Sequence, residues 1–208
     1  MKSRSQYICQ QCGYKSPSFL GKCPNCGNWN SLVETVEREE RAPSWGKVNK
    51  RTGKVKSEIS SLSEVQTAKF SRILTGIKEA DQVVGGGLVP GSLLLLAGDP
   101  GIGKSTLTLQ IISSVGGLYV SGEESAQQVK LRADRLKLPT GRILILPETN
   151  IETILEQAQA NKVKIPLLII DSIQTIWSEN LTGTPGAIGQ VRECTLKLLE
   201  FAKKTHVP

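Results

Sequence analysis

The sequence predicts an α/β protein in which a mostly parallel sheet, covered by helices on both faces, follows a small cysteine-rich segment. Apolar runs of strand length alternate with amphipathic helical patterns over the last two thirds of the 208 residues, and this βαβα rhythm is typical of a parallel sheet. Two Cys-x-x-Cys pairs mark the N-terminal segment. We therefore expect three parts: a ribbon over residues 1–33, a charged linker over 34–69 and the core over 70–208.

The composition is that of a globular protein that avoids membranes. Hydrophobic residues make up 38% and charged residues 22% of the chain, and no apolar run approaches the roughly 20 residues of a membrane span. No secretory signal follows the N-terminal charges, so a cytoplasmic location is expected. The whole net charge of +7 lies in residues 1–57. Such a basic stretch either contacts a polyanion such as nucleic acid or is merely solvated, and both readings stay open.

The four cysteines of the ribbon predict a structural metal site. Two residues separate the members of each pair, so both thiolates of a pair can converge on one ion, and two pairs complete a tetrahedron. Zinc is the expected metal and iron the minor alternative. Two disulfides or four idle thiols are the other readings, and disulfides are rare in the cytoplasm. The predicted ligands are Cys9, Cys12, Cys23 and Cys26.

The core pattern predicts four strands and several capped helices. Ser125 with Gln128 forms a capping box, and Asn150 caps the next helix. The last helix places Cys194 on its apolar face, which favours a core thiol over a nucleophile. His206 receives no role. The predicted strands are Leu93–Ala97, Leu118–Ser121, Ile143–Leu146 and Leu167–Ile170.

A phosphate-binding loop joins the first predicted strand to a helix that begins near Lys104. Its glycines allow backbone N–H groups to wrap phosphates, its lysine supplies a cation, and its serine offers a hydroxyl to Mg²⁺. The alternative is a chance match to the motif. Against it, the loop follows a predicted apolar strand and precedes a predicted helix, whose N-terminal dipole favours anions. The sequence thus predicts ATP binding by Gly98, Asp99, Pro100, Gly101, Ile102, Gly103, Lys104, Ser105 and Thr106.

Acidic residues at strand ends complete the predicted site. Asp171 ends the fourth predicted strand, where an acid next to a phosphate loop can hold Mg²⁺. Glu123 and Glu124 follow the second strand, and either could polarise water; a solvated acid pair at a helix start is the alternative. Trp177, in the loop after Asp171, either stacks on a base or anchors the loop to the core.

Together these motifs resemble the RadA (Sms) family of bacterial DNA repair proteins. The quoted segments are Leu-Thr-Gly-Ile at 74–77, Gly-Gly-Gly-Leu-Val-Pro-Gly at 85–91, the phosphate loop, Tyr-Val-Ser-Gly-Glu-Glu-Ser at 119–125 and Leu-Leu-Ile-Ile-Asp-Ser-Ile-Gln at 167–174. The resemblance implies a RecA-like ATPase core that is truncated at its C-terminus. It also implies that Glu123 is the catalytic acid and that the loop 178–189 is the first DNA-facing loop of that fold.

The family resemblance further implies a motor that hydrolyses ATP, binds single-stranded and branched DNA, and promotes branch migration as a homohexamer. A RecA-type recombinase and a replicative helicase are the candidate protein partners. Two other readings stay open: a nucleotide-gated zinc module that binds DNA or a protein without turnover, and a small-molecule kinase. The ribbon and the basic linker have no obvious use in a kinase.

Overall fold

The structure is a computed structural model that describes residues 4–37, 61, 63, 71–160 and 165–208. Most of the predicted linker over 34–69, including the greater part of its basic excess, lies outside the described residues. Among the described residues, no helix combines the length and the apolar character that crossing a membrane requires.

The N-terminal segment is a three-stranded antiparallel sheet in the order β2-β1-β3. Its strands are β1 (Arg4–Cys9), β2 (Lys15–Ser16) and β3 (Leu32–Glu37). The predicted boundary between ribbon and linker at Glu34 is wrong, because Glu34 pairs with Tyr7 inside β3. Charge density suggested a linker there, but the β-branched residues Val33, Thr35 and Val36 favour the extended pairing that the strand adopts.

The core contains three strands and five helices among the described residues. The strands are β4 (Gly117–Ser121), β5 (Ile143–Leu146) and β6 (Leu168–Asp171). They pair in the order β5-β4-β6, and both pairings are parallel. The helices are α1 (Lys78–Val83), α2 (Lys104–Val115), α3 (Ala126–Arg135), α4 (Ile151–Ala160) and α5 (Ile188–Thr205).

The central strand β4 separates two apolar clusters, which confirms a sheet covered on both faces. Leu118 and Val120 pack with residues of α4 and α5, including Ile154 and Leu198. Tyr119 packs on the other side with Leu109 and Ile112 of α2 and with Val129 and Ala133 of α3. Alternate residues of a strand point to opposite faces, so the short strand β4 contributes to both halves of the core.

Both predicted helix caps are confirmed. The Ser125 side chain accepts a hydrogen bond from the Gln128 N–H, and the Gln128 side chain bonds back to the Ser125 N–H. The Asn150 Oδ1 atom accepts from the Thr153 N–H at 2.9 Å. These bonds satisfy N–H groups that the first turn of a helix leaves without a backbone partner.

The predicted strand at Leu93–Ala97 is not formed. This segment has no regular secondary structure and no strand pairing, and its leucines are exposed, Leu95 to 82%. The ladder of the described sheet ends at β6, where the Leu168 N–H donates to the Pro208 carbonyl at 3.0 Å. An apolar run has the composition of a buried strand, but it becomes one only where a neighbouring strand supplies hydrogen bonds.

Candidate functional site

The four ribbon cysteines converge on one point. Their Sγ atoms all lie within 4.8 Å of one another, and the pairs Cys9–Cys26 and Cys12–Cys23 are each 3.6 Å apart. Four thiolates around a tetrahedral zinc ion would stand about 3.8 Å apart, since a Zn–S bond is about 2.3 Å. The residues present therefore fit a structural four-cysteine zinc site. The disulfide reading is wrong, because all four thiols are free.

Matched turns hold the two cysteine pairs in place. The Gly13 N–H donates to the Cys9 carbonyl and the Gly27 N–H to the Cys23 carbonyl, each at 2.9 Å. Both glycines have φ of +73°, a backbone region that favours glycine. The Ser31 hydroxyl, 3.3 Å from the Cys9 Sγ atom, lowers the pKa of Cys9 to about 6. The Ser31 hydroxyl thus favours the thiolate of Cys9, which is the form that binds metal.

The predicted phosphate loop directly precedes α2. Gly101 and Gly103 have φ of +79° and +103°, and Gly103 is the N-cap of the helix, which begins at Lys104 as predicted. The Lys104 Nζ atom donates to the carbonyls of Gly98 and Asp99 at 2.9 and 2.8 Å. The ammonium group is therefore held over its own loop, and the first N–H groups of α2 point toward the same side.

Asp171 is bonded to a tyrosine that the sequence analysis gave no role. The Tyr119 hydroxyl of β4 donates to the Asp171 Oδ2 atom of β6 at 2.5 Å, and the two strands pair so that Ser121 faces Asp171. Burial, followed by the bond to Asp171, raises the pKa of Tyr119 well above its ordinary value. The hydroxyl thus stays protonated and donates. A tyrosine two residues before the polar end of a buried strand is the signal that could have revealed it.

The ring of the same tyrosine packs against the helix of the phosphate loop. Tyr119 lies in one apolar cluster with Leu109 and Ile112 of α2, and Ile169 of β6 packs against the same cluster. At the start of α2 the Thr108 Oγ1 atom donates to the Ser105 carbonyl at 3.2 Å. The strand that ends at Asp171 and the helix that begins at Lys104 therefore share one side of the core.

The two neighbouring acids after β4 have different partners. The Ser172 Oγ atom donates to the Glu123 Oε1 atom at 2.7 Å, which brings Glu123 beside the residue that follows Asp171. Glu124 instead forms an ion pair with Arg132 of α3. Both acids line a cleft of about 230 Å³ together with Thr149. Glu124 is thus tied to a helix, whereas Glu123 lies at the carboxyl end of the sheet next to Asp171.

Two family models match separate parts of the chain. A model described as a rubredoxin metal binding domain matches residues 7–34, which contain all four cysteines. An ATPase model described as KaiC matches residues 73–144, which contain the phosphate loop and both acids after β4.

Curated relatives match the chain from end to end. The DNA repair protein RadA of Aquifex aeolicus is 45% identical over 100% of this chain, and that of Bacillus subtilis is 42% identical over 100%. The whole chain therefore matches part of the RadA proteins. It spans 45% and 46% of the length of these two relatives. A solved structure titled as the RadB recombinase has 26% identity over 65% of this chain and 67% of its own, with a TM-score of 0.48.

Trp177 anchors the loop that follows β6. Its backbone N–H donates to the Thr149 carbonyl at 2.9 Å, and its indole Nε1 atom donates to the Thr149 Oγ1 atom at 3.2 Å. Of the two readings of this residue, the contacts favour anchoring. Cys194 is fully buried in the core, which confirms the core-thiol interpretation, and burial raises its pKa to about 11. His206 adopts the left-handed cap of α5.

A polar network beneath the loop 178–189 was also missed from the sequence. The Glu152 Oε1 atom accepts from the Ser178 hydroxyl at 2.6 Å and from the Asn180 amide at 2.9 Å. Lys197 forms an ion pair with the same carboxylate. These residues come from α4, the loop and α5, so no local pattern links them. The network fixes the start of the loop 178–189.

Proposed function

We propose that this chain is the nucleotide-binding part of a DNA-dependent ATPase that acts in recombinational DNA repair. The observation that carries the proposal is the glycine-rich loop that opens α2 at Lys104, on the side of the core where β6 ends at Asp171 and Ser172 holds Glu123. Similarity to the RadA proteins supplies the link to DNA repair, because these curated relatives are described as DNA repair proteins.

Each residue of the site has a proposed task. Lys104 and the N–H groups of the loop would bind the phosphates of ATP, while Ser105 and Asp171 would hold Mg²⁺. When bound, the ion supplies positive charge that offsets the charge of the transferred phosphoryl group. Glu123 would orient and deprotonate the attacking water. It lies at the carboxyl end of the sheet and does not take part in the ion pair between Glu124 and Arg132.

Separate measurements of ATP binding and ATP hydrolysis distinguish the proposed tasks of these residues. Lys104→Ala should weaken ATP binding, because N–H groups alone cannot replace a cation on the terminal phosphates. In the full-length protein, Glu123→Gln should keep ATP binding and abolish hydrolysis, with Glu124→Gln as the matched control. A larger loss of hydrolysis in Glu124→Gln would contradict the assignment. Nucleotide binding without any ATP hydrolysis, even with single-stranded DNA present, would instead favour a nucleotide-gated module that binds without turnover.

We further propose that the protein binds single-stranded and branched DNA and promotes branch migration as a hexamer. If the basic residues of 1–57 contact phosphates, the logarithm of affinity should fall with the logarithm of salt concentration by about 0.7 per phosphate neutralised. Removing residues 1–57 should reduce that slope, since residues 58–208 are formally neutral. An unchanged slope would show that the basic stretch is only a solvated linker and that other surfaces contact DNA.

A further inference from the structure

The ribbon contacts the loop 178–189 through one buried carboxylate. Glu34 of β3 is only 8% exposed. Its Oε1 atom accepts from the Thr182 N–H at 3.2 Å and from the Thr182 hydroxyl at 2.8 Å. Hydrogen bonds to an ionised group are shorter and stronger than neutral ones. A side chain of the ribbon therefore holds a backbone group of a loop that lies about 150 positions further along the chain.

The backbone of the ribbon also approaches α5 closely. A Cβ atom at Gly189, in the first turn of α5, would stand 2.6 Å from the Glu34 carbonyl oxygen. That distance is far below van der Waals contact, and the neighbour is backbone, which cannot turn away as a side chain would. Glycine at 189 is thus what lets α5 and β3 meet. A third contact joins the Arg192 Nη1 atom to the Gln10 Oε1 atom at 3.3 Å.

The core holds the same loop from its inner side. The Gln190 side chain is buried, and its Oε1 atom accepts from the Ser178 N–H at 2.7 Å. Its Nε2 atom donates to the carbonyls of Leu181 at 3.3 Å and Gly183 at 2.8 Å. Residues 178–183 are therefore fixed between Gln190 and Glu34, whereas the turn at 184–186 is exposed.

We propose that Glu34 and Gly189 make the ribbon a support for the loop 181–187, so that the ribbon fixes the exposed turn at 184–186 for contact with single-stranded DNA. Glu34 is in this sense a positioning residue of the DNA-binding surface. The DNA part of the proposal rests on the proposed function; the docking of the ribbon on the loop does not. The effect should be seen first in the loop, because the carboxylate accepts two hydrogen bonds from Thr182.

Hydrogen exchange of the purified chain, followed by mass spectrometry, tests the docking. Glu34→Ala should speed exchange of the amides of 181–187 by about tenfold, because the Thr182 N–H loses an ionised acceptor. Glu34→Gln keeps an acceptor oxygen at the same reach and should recover part of the protection. Exchange over β4 and β6 should stay as in the unchanged chain. Equal exchange of 181–187 in all three proteins would overturn the proposal.

Gly189→Ala gives an independent variant that leaves the carboxylate in place. Alanine is a better helix former than glycine, so α5 should persist while its new methyl group displaces β3. Gly141→Ala is the matched control, since a Cβ atom there has no neighbour within 4 Å. Faster exchange of 181–187 in Gly189→Ala alone supports the docking. The same exchange in both variants would contradict it.

Binding of a fluorescently labelled single-stranded oligonucleotide tests the link to DNA. Glu34→Ala should bind it several-fold more weakly, because the loop 181–187 loses its support. Its affinity for ATP should be unchanged, because Glu34 does not contact the phosphate loop. Unchanged DNA affinity with faster exchange would overturn the link. If the unchanged chain binds no DNA, the proposed function fails, whereas the exchange experiment still decides whether the ribbon positions the loop.

Discussion

The ribbon and the core achieve their structures by different means. The apolar cluster of the ribbon contains three buried residues, and two of them, Cys9 and Cys23, belong to the four-cysteine group that fits a metal ion. The core instead buries one cluster on each face of β4, with helices on both sides. Small domains bury too little apolar surface to fold on that basis alone. In the ribbon a site that fits a metal ion stands where the sheet has a core of packed apolar side chains.

Removing the metal should have the largest effect, and it should be confined to the ribbon and to the loop 181–187 that the ribbon supports. Zinc contributes about 10–16 kcal/mol of apparent binding free energy in small zinc peptides, which exceeds what three buried residues can supply. A chelator should therefore abolish protection from hydrogen exchange over residues 4–37 and leave β4, β5 and β6 protected. Elemental analysis before chelation should give one zinc per chain. Less than about half an equivalent of metal in the folded protein would contradict the zinc assignment.

A cavity in the core should lower the stability of the sheet and leave the metal content of the ribbon unchanged. Ile154→Ala removes a fully buried side chain from the cluster of α4, α5 and β4, which should lower the free energy of unfolding by about 2–5 kcal/mol. Urea unfolding followed by circular dichroism measures this loss, and zinc content should not change.

Ile145→Ala, at a position that is 37% exposed on β5, serves as the matched control for Ile154→Ala. It should cost clearly less, because fewer of its contacts are buried. If both variants lose the same stability, burial is not what distinguishes these positions.

Tyr119→Phe tests the one place where core packing and the candidate site coincide. The variant keeps the ring among Leu109, Ile112 and Val129 but removes the hydroxyl that donates to Asp171. We expect the free energy of unfolding to fall by about 1.5 kcal/mol, the lower end of the range for a hydrogen bond to a charged group. Thermal unfolding measures it. A variant as stable as the unchanged chain would show that Asp171 does not depend on this donor.

The smallest expected effect concerns a helix end in the core. Ser125→Ala removes the side chain that caps α3, and such a change typically costs about 1 kcal/mol. Ser125→Gly should lower the free energy of unfolding by only about 0.3 kcal/mol, because glycine tolerates the cap conformation and lets water hydrogen-bond to the N–H groups. Urea unfolding of the two variants distinguishes a true cap from a simple loss of side-chain contacts.

Local patterns were enough to predict much of this protein. Cysteine spacing predicted the metal site, because two residues between ligands confine both sulfurs to one turn. The phosphate loop, the start of α2 at Lys104 and the caps at Ser125 and Asn150 also follow from neighbours in sequence. Each depends on interactions that span only a few residues.

What the tertiary structure decided depends on residues that are distant in sequence. The composition of Leu93–Ala97 is that of a strand, but hydrogen bonding needs a neighbouring strand, and none pairs with it among the described residues. Tyr119 meets Asp171 because β4 and β6 pair in one particular register. Glu34, which sequence reasoning assigned to a linker, meets Thr182 because β3 packs on the start of α5. Pairing and packing of this kind depend on where the whole chain places its elements, which no local pattern records.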